Sequence, residues 1–379
     1  MKNILIIAGE ASGDTLGAGF VREFLSLSSD YEFFGLGGDK MKATGVELAY
    51  HIRQLAFLGF WEVLKNIRFI RKVQKDILAL VDKHKPSMAV LIDYPGFNLR
   101  LAPLLKKRGV KVFYYISPQI WAWGGKRIRQ IKQHVDFMSV IFEFEKEIYE
   151  KAGVPCRWVG HPLLDEINID ISYEGFLENC GMSQNRIPIG IFPGSREQEV
   201  SRILPEMLEA MKIIQIGYPA AAGIVGKASS LDFDLYQKIM DDTGIHLPLY
   251  NESNYDIMKH AKVNMVCSGT ATLECGMIGT PLLVAYKTSP ITYLIARSVI
   301  KLPHIGMVNL VAGHEVAPEL IQHNCTGRKL AEVVLRFLNN ADYYNDVKSR
   351  LEKIKEKLGE RGASGRAAET ALELLQQSN

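Results

Sequence analysis

Residues 3–14 read Asn3-Ile4-Leu5-Ile6-Ile7-Ala8-Gly9-Glu10-Ala11-Ser12-Gly13-Asp14. The apolar run Ile4–Ala8 has no polar face, which predicts a strand covered on both sides. A small, glycine-containing loop ends it, and a helical pattern, Ser12–Leu27, follows. Gly9 and Gly13 let backbone approach a ligand closely, and Ser12 or Asp14 is placed to cap the helix. A plain tight turn with a helix cap accounts for the same residues, so the motif alone leaves both readings open.

The same strand–loop–helix unit recurs outward from this stretch. Short β-branched runs at Glu32–Leu36, Ser87–Ile92, Lys111–Ile116, Phe137–Val140 and Arg157–Val159 alternate with helical patterns such as Gln54–Lys83. After an irregular polar break around Leu164–Arg186 the rhythm resumes at Pro188–Phe192, Ala222–Val225, Val263–Cys267 and Pro281–Ala285. This alternation predicts an α/β chain with parallel sheets covered on both faces. At 379 residues the chain exceeds one ordinary domain. The expectation is two doubly wound, Rossmann-like domains facing a cleft. The final helical stretch, Ala341–Gln376, contains Gly359, Gly362 and Gly365 and should be broken.

Composition narrows the class. Hydrophobic residues are 47% and charged residues 23%, which excludes disorder and coiled coil as the main state. A net charge of +3 gives no reason to expect a nucleic-acid partner. The first apolar run is too short for a signal-peptide core, and no uncharged apolar stretch reaches about 18 residues. The five cysteines are scattered and odd in number, which suits core thiols in a reducing cytoplasm. A mean hydropathy of 0.00 is high for a cytosolic enzyme.

In open parallel sheets, ligands bind beyond the carboxyl ends of the strands. Ile92-Asp93-Tyr94-Pro95-Gly96-Phe97-Asn98 places Asp93 at the end of a wholly apolar strand, where partial desolvation would raise its pKa. It reads either as a reactive carboxylate or as a turn cap. Phe192-Pro193-Gly194-Ser195-Arg196-Glu197 opens a helix, Gln198–Ile214, whose amides and Arg196 make an anion site; an Arg196–Glu199 pair is the alternative. Cys267-Ser268-Gly269-Thr270-Ala271-Thr272-Leu273-Glu274 repeats the arrangement, with hydroxyls at Ser268 and Thr270. Glu274 there suits ribose hydroxyls or simply the positive end of a helix. Two anion loops in one half point to a nucleotide diphosphate. Gly35-Leu36-Gly37-Gly38-Asp39 lacks a full dinucleotide fingerprint and reads as structural. Ser117-Pro118-Gln119-Ile120-Trp121-Ala122-Trp123 carries two tryptophans that suit core packing or an apolar ligand. P-loop, G-x-S-x-G and H-E-x-x-H motifs are absent.

Taken in order, these motifs with Leu58-Gly59-Phe60-Trp61-Glu62-Val63-Leu64, Val159-Gly160-His161-Pro162 and Val308-Asn309-Leu310 resemble the lipid A disaccharide synthase family. These are inverting glycosyltransferases of family 19 with the GT-B architecture, and the resemblance runs essentially end to end. It implies transfer of 2,3-diacylglucosamine from UDP-2,3-diacylglucosamine to 2,3-diacylglucosamine 1-phosphate, with a β-1,6 link and release of UDP. It further implies an acceptor and membrane-facing domain at 1–165 and a UDP-sugar donor domain at 166–345. A C-terminal helix within 346–379 would pack back on the N-terminal domain of its own or a partner chain. Family members exchange C-terminal segments, which adds a homodimer to the expectations. By matching position, Asp93 is the expected base, with Glu10 and Asp14 as rivals, and Arg196 the stabiliser of the leaving UDP. Ser12, Gly13, Ser195, Glu199, Ser268, Gly269, Thr270, Glu274 and Asn309 are the expected substrate-binding residues. No cofactor is implied, and metal is not required if Arg196 and backbone amides hold the leaving group.

Leu55–Ile70, with Arg68, Arg71, Lys72 and Lys75 interleaved or following, combines dense apolar residues with basic ones. Core packing explains part of it. With acylated substrates implied, Leu58, Phe60, Trp61, Leu64 and Arg68 are read as a membrane contact, placing the chain on the cytoplasmic face of the inner membrane. A second basic patch, Lys126–Lys132, suits anionic lipid or the acceptor phosphate, or is a solvated helix face. Two other classes compete: another GT-B UDP-sugar enzyme, either an epimerase or a peptidoglycan GlcNAc transferase, and a non-catalytic sugar-binding protein. A fully soluble substrate would not call for the greasy Leu55–Ile70 segment.

Overall fold

The computed structural model describes residues 1–54, 67–118, 120, 127–228, 230–290, 293 and 303–377. The chain forms two compact units, Met1–Asp165 with Leu358–Asn379, and Glu166–Lys357.

In the first unit, seven parallel strands form one sheet: β1 (Lys2–Ala8), β2 (Tyr31–Gly37), β3 (Glu47–His51), β4 (Met88–Ile92), β5 (Lys111–Tyr115), β6 (Phe137–Val140) and β7 (Cys156–Trp158). Their spatial order is β3-β2-β1-β4-β5-β6-β7. Register is set along the central pair, with Ile4 opposite Met88 and Ala8 opposite Ile92. Alternate side chains leave on opposite faces, so both faces need cover. Leu5, Ile7, Phe34, Leu91 and Tyr114 join one core with Val73, Ile77 and Val81 of helix Ile67–His84 and Leu101 and Leu105 of helix Pro95–Lys106. On the other face Phe20 and Phe24 of helix Ala11–Leu27 meet Phe33, and Phe20 also meets Phe113 and Tyr115. Each such buried aliphatic or aromatic side chain contributes about 1.5–3 kcal/mol.

Gly35 shows why the glycine-rich stretch after β2 is structural. Its φ is 151°, the strand register shifts between Gly35 and Leu36, and a Cβ there would lie 2.0 Å from the Ile6 carbonyl oxygen. No other residue fits that approach of backbone to backbone.

The second unit repeats the plan with β8 (Ile187–Phe192), β9 (Ala221–Gly226), β10 (Leu249–Tyr250), β11 (Val263–Cys267), β12 (Leu282–Tyr286) and β13 (Glu319–Ile321). The order is β10-β9-β8-β11-β12-β13, again with parallel pairs. Helix Glu197–Gly217 buries Ile203, Leu204, Met207, Leu208, Met211 and Ile214. Helices Thr270–Ile278 and Gly327–Asn339 also flank this sheet, and helix Ala341–Lys357 packs on both of them. The five cysteines are free thiols, and no helix among the described residues is long and apolar enough to cross a membrane.

The pattern Ala341–Gln376 is interrupted at two left-handed glycines, Gly359 (φ 82°) and Gly362 (φ 94°). Helix Ala341–Lys357 stays with the second unit, and the return to the first begins at Leu358. Helix Ala363–Gln376 then buries Ala363, Ala367, Ala368 and Ala371 against helix Ala11–Leu27. Arg366 fastens the return. Its guanidinium donates to the carbonyls of Val159 (2.8 Å), Glu360 (2.6 Å) and Arg361 (2.7 Å). The Leu358 carbonyl accepts from the His161 amide at 2.8 Å, and Asp165 Oδ1 accepts from the Gly362 amide at 2.6 Å. Arg366→Ala should therefore lower the stability of the first unit by about 2–4 kcal/mol, because charged donors to carbonyls are worth more than neutral ones. Urea unfolding of the variant against the parent checks this.

Candidate functional site

Each sheet reverses its winding once, between β1 and β4 in the first unit and between β8 and β11 in the second. At such a reversal the two following loops part in opposite directions and leave a crevice beyond the strand ends. The Gly9 and Asp93 loops flank the first reversal, and the Gly194–Arg196 and Ser268–Thr270 loops flank the second.

At the first reversal, Asp93 and Tyr94 have φ of 41° and 44°. Two successive non-glycine residues in the left-handed region cost about 1–3 kcal/mol each. Hydrogen bonds of similar total size hold them there. The Asp93 amide donates to Tyr115 O at 3.0 Å. Fully buried Asn98 donates from Nδ2 to the carbonyls of Ile92 (3.2 Å) and Asp93 (2.8 Å). The Tyr114 hydroxyl donates to the Asp93 carbonyl at 2.6 Å. The turn swings the Tyr94 ring over Gly9, where a Cβ would lie 2.3 Å from a ring carbon, so only glycine fits. The Asp93 carboxyl is half-buried and its pKa is pushed up to about 6, by burial first and by the Glu10 charge second. An accepted hydrogen bond from the Tyr94 amide opposes this.

Glu10 is exposed. Asp14 is buried and fully engaged: Oδ1 accepts from the amides of Gly38 (2.7 Å) and Met41 (3.0 Å), and Oδ2 from that of Lys40 (3.0 Å). Ser12 and Asp14 do not cap helix Ala11–Leu27 as the sequence suggested. Glu10 stands at its N-cap without a side-chain bond, and Asp14 instead anchors the loop after β2. Ser12 is exposed on the first turn and Gly13 packs against Ala8.

At the second reversal a cavity of about 200 Å³ is lined by Gly194, Ser195, Glu199, Asn254, Ser268, Gly269, Thr270 and Glu274 among others. Helices Glu197–Gly217 and Thr270–Ile278 both begin at it. Arg196 Nη1 donates to Glu199 Oε1 at 2.9 Å, and Glu199 Oε2 accepts from the amides of Ser195 (3.2 Å) and Arg196 (3.3 Å). Arg196 is therefore paired with Glu199, the alternative that its spacing had left open. Ser268 Oγ donates to the Ile305 carbonyl at 2.8 Å. Burial pushes the Glu274 carboxyl up to about 7.

The side chain of Asn309, an expected substrate-binding residue, is engaged within the protein. It is fully buried; Nδ2 donates to Ala317 O (2.7 Å) and Glu319 Oε1 (2.8 Å), and Oδ1 accepts from the amides of Val316 (2.8 Å) and Ala317 (2.9 Å). An amide side chain has no further capacity. Asn309 is thereby tied to Glu319. That carboxylate also accepts from the amides of Ile305 (2.9 Å) and Gly306 (2.9 Å), next to the carbonyl that Ser268 uses. Asn98, Tyr114 and Glu319 were missed by the sequence reading. A polar residue at a core-facing helical position was the one available signal for Asn98. Leu58, Phe60, Trp61, Leu64, Trp121, Trp123 and Lys126 lie outside the described residues; Arg68 is exposed at the start of helix Ile67–His84.

The family model described as Lipid-A-disaccharide synthetase matches residues 4–373. The chain belongs to the lipid-A-disaccharide synthase family. A lipid-A-disaccharide synthase from Trichlorobacter lovleyi is 40% identical over 377 residues, covering 100% of this chain and 98% of the relative. Members of the family are glycosyltransferases of lipid A biosynthesis, and this chain is one of them. Among solved structures, the calicheamicin glycosyltransferase superposes with a TM-score of 0.63 at 12% identity, over 100% of this chain and 99% of that one. A UDP-GlcNAc 2-epimerase from Neisseria meningitidis, bound to UDP-GlcNAc, does so at 0.59 and 13%, over 100% of each. At such identities these likenesses show the shared GT-B fold, and the synthase family sets the activity apart from the epimerases.

Replacing Asn309 by alanine strands the buried amides of Val316 and Ala317. Asn309→Ala should cost about 2–4 kcal/mol, against about 1 kcal/mol for Ser268→Ala, which removes a single donated bond. Equal losses in thermal or urea unfolding of the two variants would contradict the saturated role given to Asn309.

Proposed function

We propose that the chain transfers 2,3-diacylglucosamine from its UDP donor to 2,3-diacylglucosamine 1-phosphate with inversion, using Asp93 as general base. The observation that carries this is a half-buried carboxyl with its pKa near 6, at the switch point of the first sheet. A base must be ionised at working pH yet hold a proton readily, and a value just below neutrality meets both needs. Asp14 has given its oxygens to three amides, and Glu10 is exposed, so neither rival competes well.

The acceptor 6-hydroxyl loses its proton to Asp93 as its oxygen attacks C1 of the donor sugar, and the C1–O bond to UDP breaks. The second-unit cavity is the proposed diphosphate site. Two helix N-termini and the loops bearing Ser195, Ser268, Gly269 and Thr270 converge on it. Arg196 would exchange its Glu199 partner for a phosphate. Arg196 is 63% exposed while Glu199 is only 15% exposed, so the guanidinium is the partner that can turn to a phosphate, which offers it charge-assisted, bidentate bonds. Glu274, which lines the same cavity, would accept from ribose hydroxyls.

The acylated substrates suggest a membrane surface as the place of work. Helix Ile67–His84 exposes Arg68, Arg71, Lys72 and Lys75, and helix Arg127–His134 exposes Arg127, Arg129 and Lys132. Both helices share a layer with helix Pro95–Lys106, and both begin at the carboxyl end of the sheet, where Asp93 lies. The basic residues there suit an anionic lipid surface or the acceptor phosphate.

Turnover measured as UDP release should rise with pH through about 6 and then level, because only ionised Asp93 accepts a proton. A carboxyl raised above its unfolded value favours folding while protonated, and that stability is lost as pH climbs from about 4 to about 6. Asp93→Asn should therefore lose about 10²- to 10⁴-fold in kcat while its melting temperature at pH 7 rises. Near-normal turnover in this variant would remove Asp93 as the base. In sedimentation with vesicles, binding should need anionic lipid and weaken between about 0.1 and 1 M salt, where screening shortens from about 10 to 3 Å. Equal binding to neutral vesicles would count against the basic face.

A further inference from the structure

Asp93 can serve as a base only while its Cα–Cβ bond keeps one direction, and that direction is fixed by the two peptide planes that meet at its Cα. Both planes are pinned from outside the turn. The Ile92–Asp93 plane is held at each end, by Asn98 Nδ2 on the Ile92 carbonyl and by the Tyr115 carbonyl on the Asp93 amide. The Asp93–Tyr94 plane is held by two donors on one oxygen, Asn98 Nδ2 at 2.8 Å and the Tyr114 hydroxyl at 2.6 Å. Asn98 is itself fixed, because its amide donates to Tyr94 O at 3.0 Å and its side chain is fully buried. Tyr114 is fully buried on β5, the neighbouring strand.

These contacts hold a conformation that the backbone otherwise leaves. With φ of 41° and 44°, Asp93 and Tyr94 relax toward the extended or right-handed region unless their carbonyls are restrained. Neither Asn98 nor Tyr114 is aimed at a ligand. Both act on the main chain that carries the carboxylate.

We propose that Asn98 and Tyr114 are positioning residues for Asp93, a clamp on its two peptide planes that aims its carboxylate toward the loop after β1. This deepens the base assignment and rests on it. Removing the hydroxyl alone, in Tyr114→Phe, keeps the ring packing and frees one restraint. Misplacement of a reacting group by about 1 Å costs up to about 10²-fold in rate. Tyr114→Phe should thus lower kcat by about 10- to 100-fold and leave KM for either substrate within about threefold. Asn98→Ala frees both planes and should lose more, and where it fails to fold Tyr114→Phe still decides the matter.

A double-mutant cycle separates aim from stability. In full-length enzyme already carrying Asp93→Asn, adding Tyr114→Phe should change the residual UDP release no further, because there is no carboxylate left to aim. Tyr50→Phe, which removes a part-buried hydroxyl bonded to Asp76 at the edge of the same core, should leave kcat unchanged. The proposal is overturned if Tyr114→Phe keeps parental kcat while Asp93→Asn is inactive, or if it lowers the residual rate of Asp93→Asn by the same factor as in the parent. Parental kcat in Asp93→Asn overturns the base assignment itself, and the clamp with it.

Discussion

A parallel strand covered on both faces can present polar chemistry only where it stops. That constraint organises both units. Ile4–Ala8, Met88–Ile92, Ile189–Phe192 and Val263–Cys267 are nearly or wholly buried, with the uncharged Asn264 bonded to the Met258 carbonyl, so a charged side chain along any of them would be desolvated. Carboxylates and hydroxyls accordingly collect in the first residues beyond the strands. Asp93 is the first residue after β4 and Ser268 the first after β11. The reversal of winding then decides which of these ends carry a crevice, and it selects the same two strand ends in each sheet.

The acidic residues sort by what their oxygens face. Asp14, Glu319 and Glu145 are buried and accept from backbone amides, so each fixes a loop: the one after β2, the turn at Ile305–Gly306, and Phe142 with Ser117. Asp93 is helped by the Tyr94 amide, but burial outweighs it, and burial acts on Glu274 without opposition. Burial raises both, to about 6 and about 7. An acid whose oxygens are taken up by amides fixes a loop, whereas one desolvated without full compensation is raised toward neutral pH. The molecule carries a stability cost at the second kind, and perturbed groups of that kind are the ones that cluster at functional sites in general.

Sequence made the central strands and the Asp93 loop legible for one physical reason: a run of Val, Leu and Ile that halts at an acid marks the point where a buried strand leaves its core. It did not reveal β3, β10 and β13, which are edge strands of five, two and three residues with partly exposed side chains. Such strands have no apolar run to betray them. Polar residues were visible but their partners were not. The four bonds of Asn309 and the three donors that Glu319 holds are set by residues distant or unmarked in the sequence. Asn98 and Tyr114 act on main-chain carbonyls, a target that sequence cannot display.

The return of the chain at Leu358 sets an order of assembly during synthesis. Residues 166–357 are contiguous, and their core is complete as soon as they have left the ribosome. The first unit begins emerging earlier but lacks helix Ala363–Gln376, which covers Gly19 and the neighbouring surface of helix Ala11–Leu27 and supplies Arg366 to Val159. At about 5–20 residues per second, the half that starts first must wait for the half that follows. Until the last helix arrives, the surface of helix Ala11–Leu27 that it covers stays open to solvent.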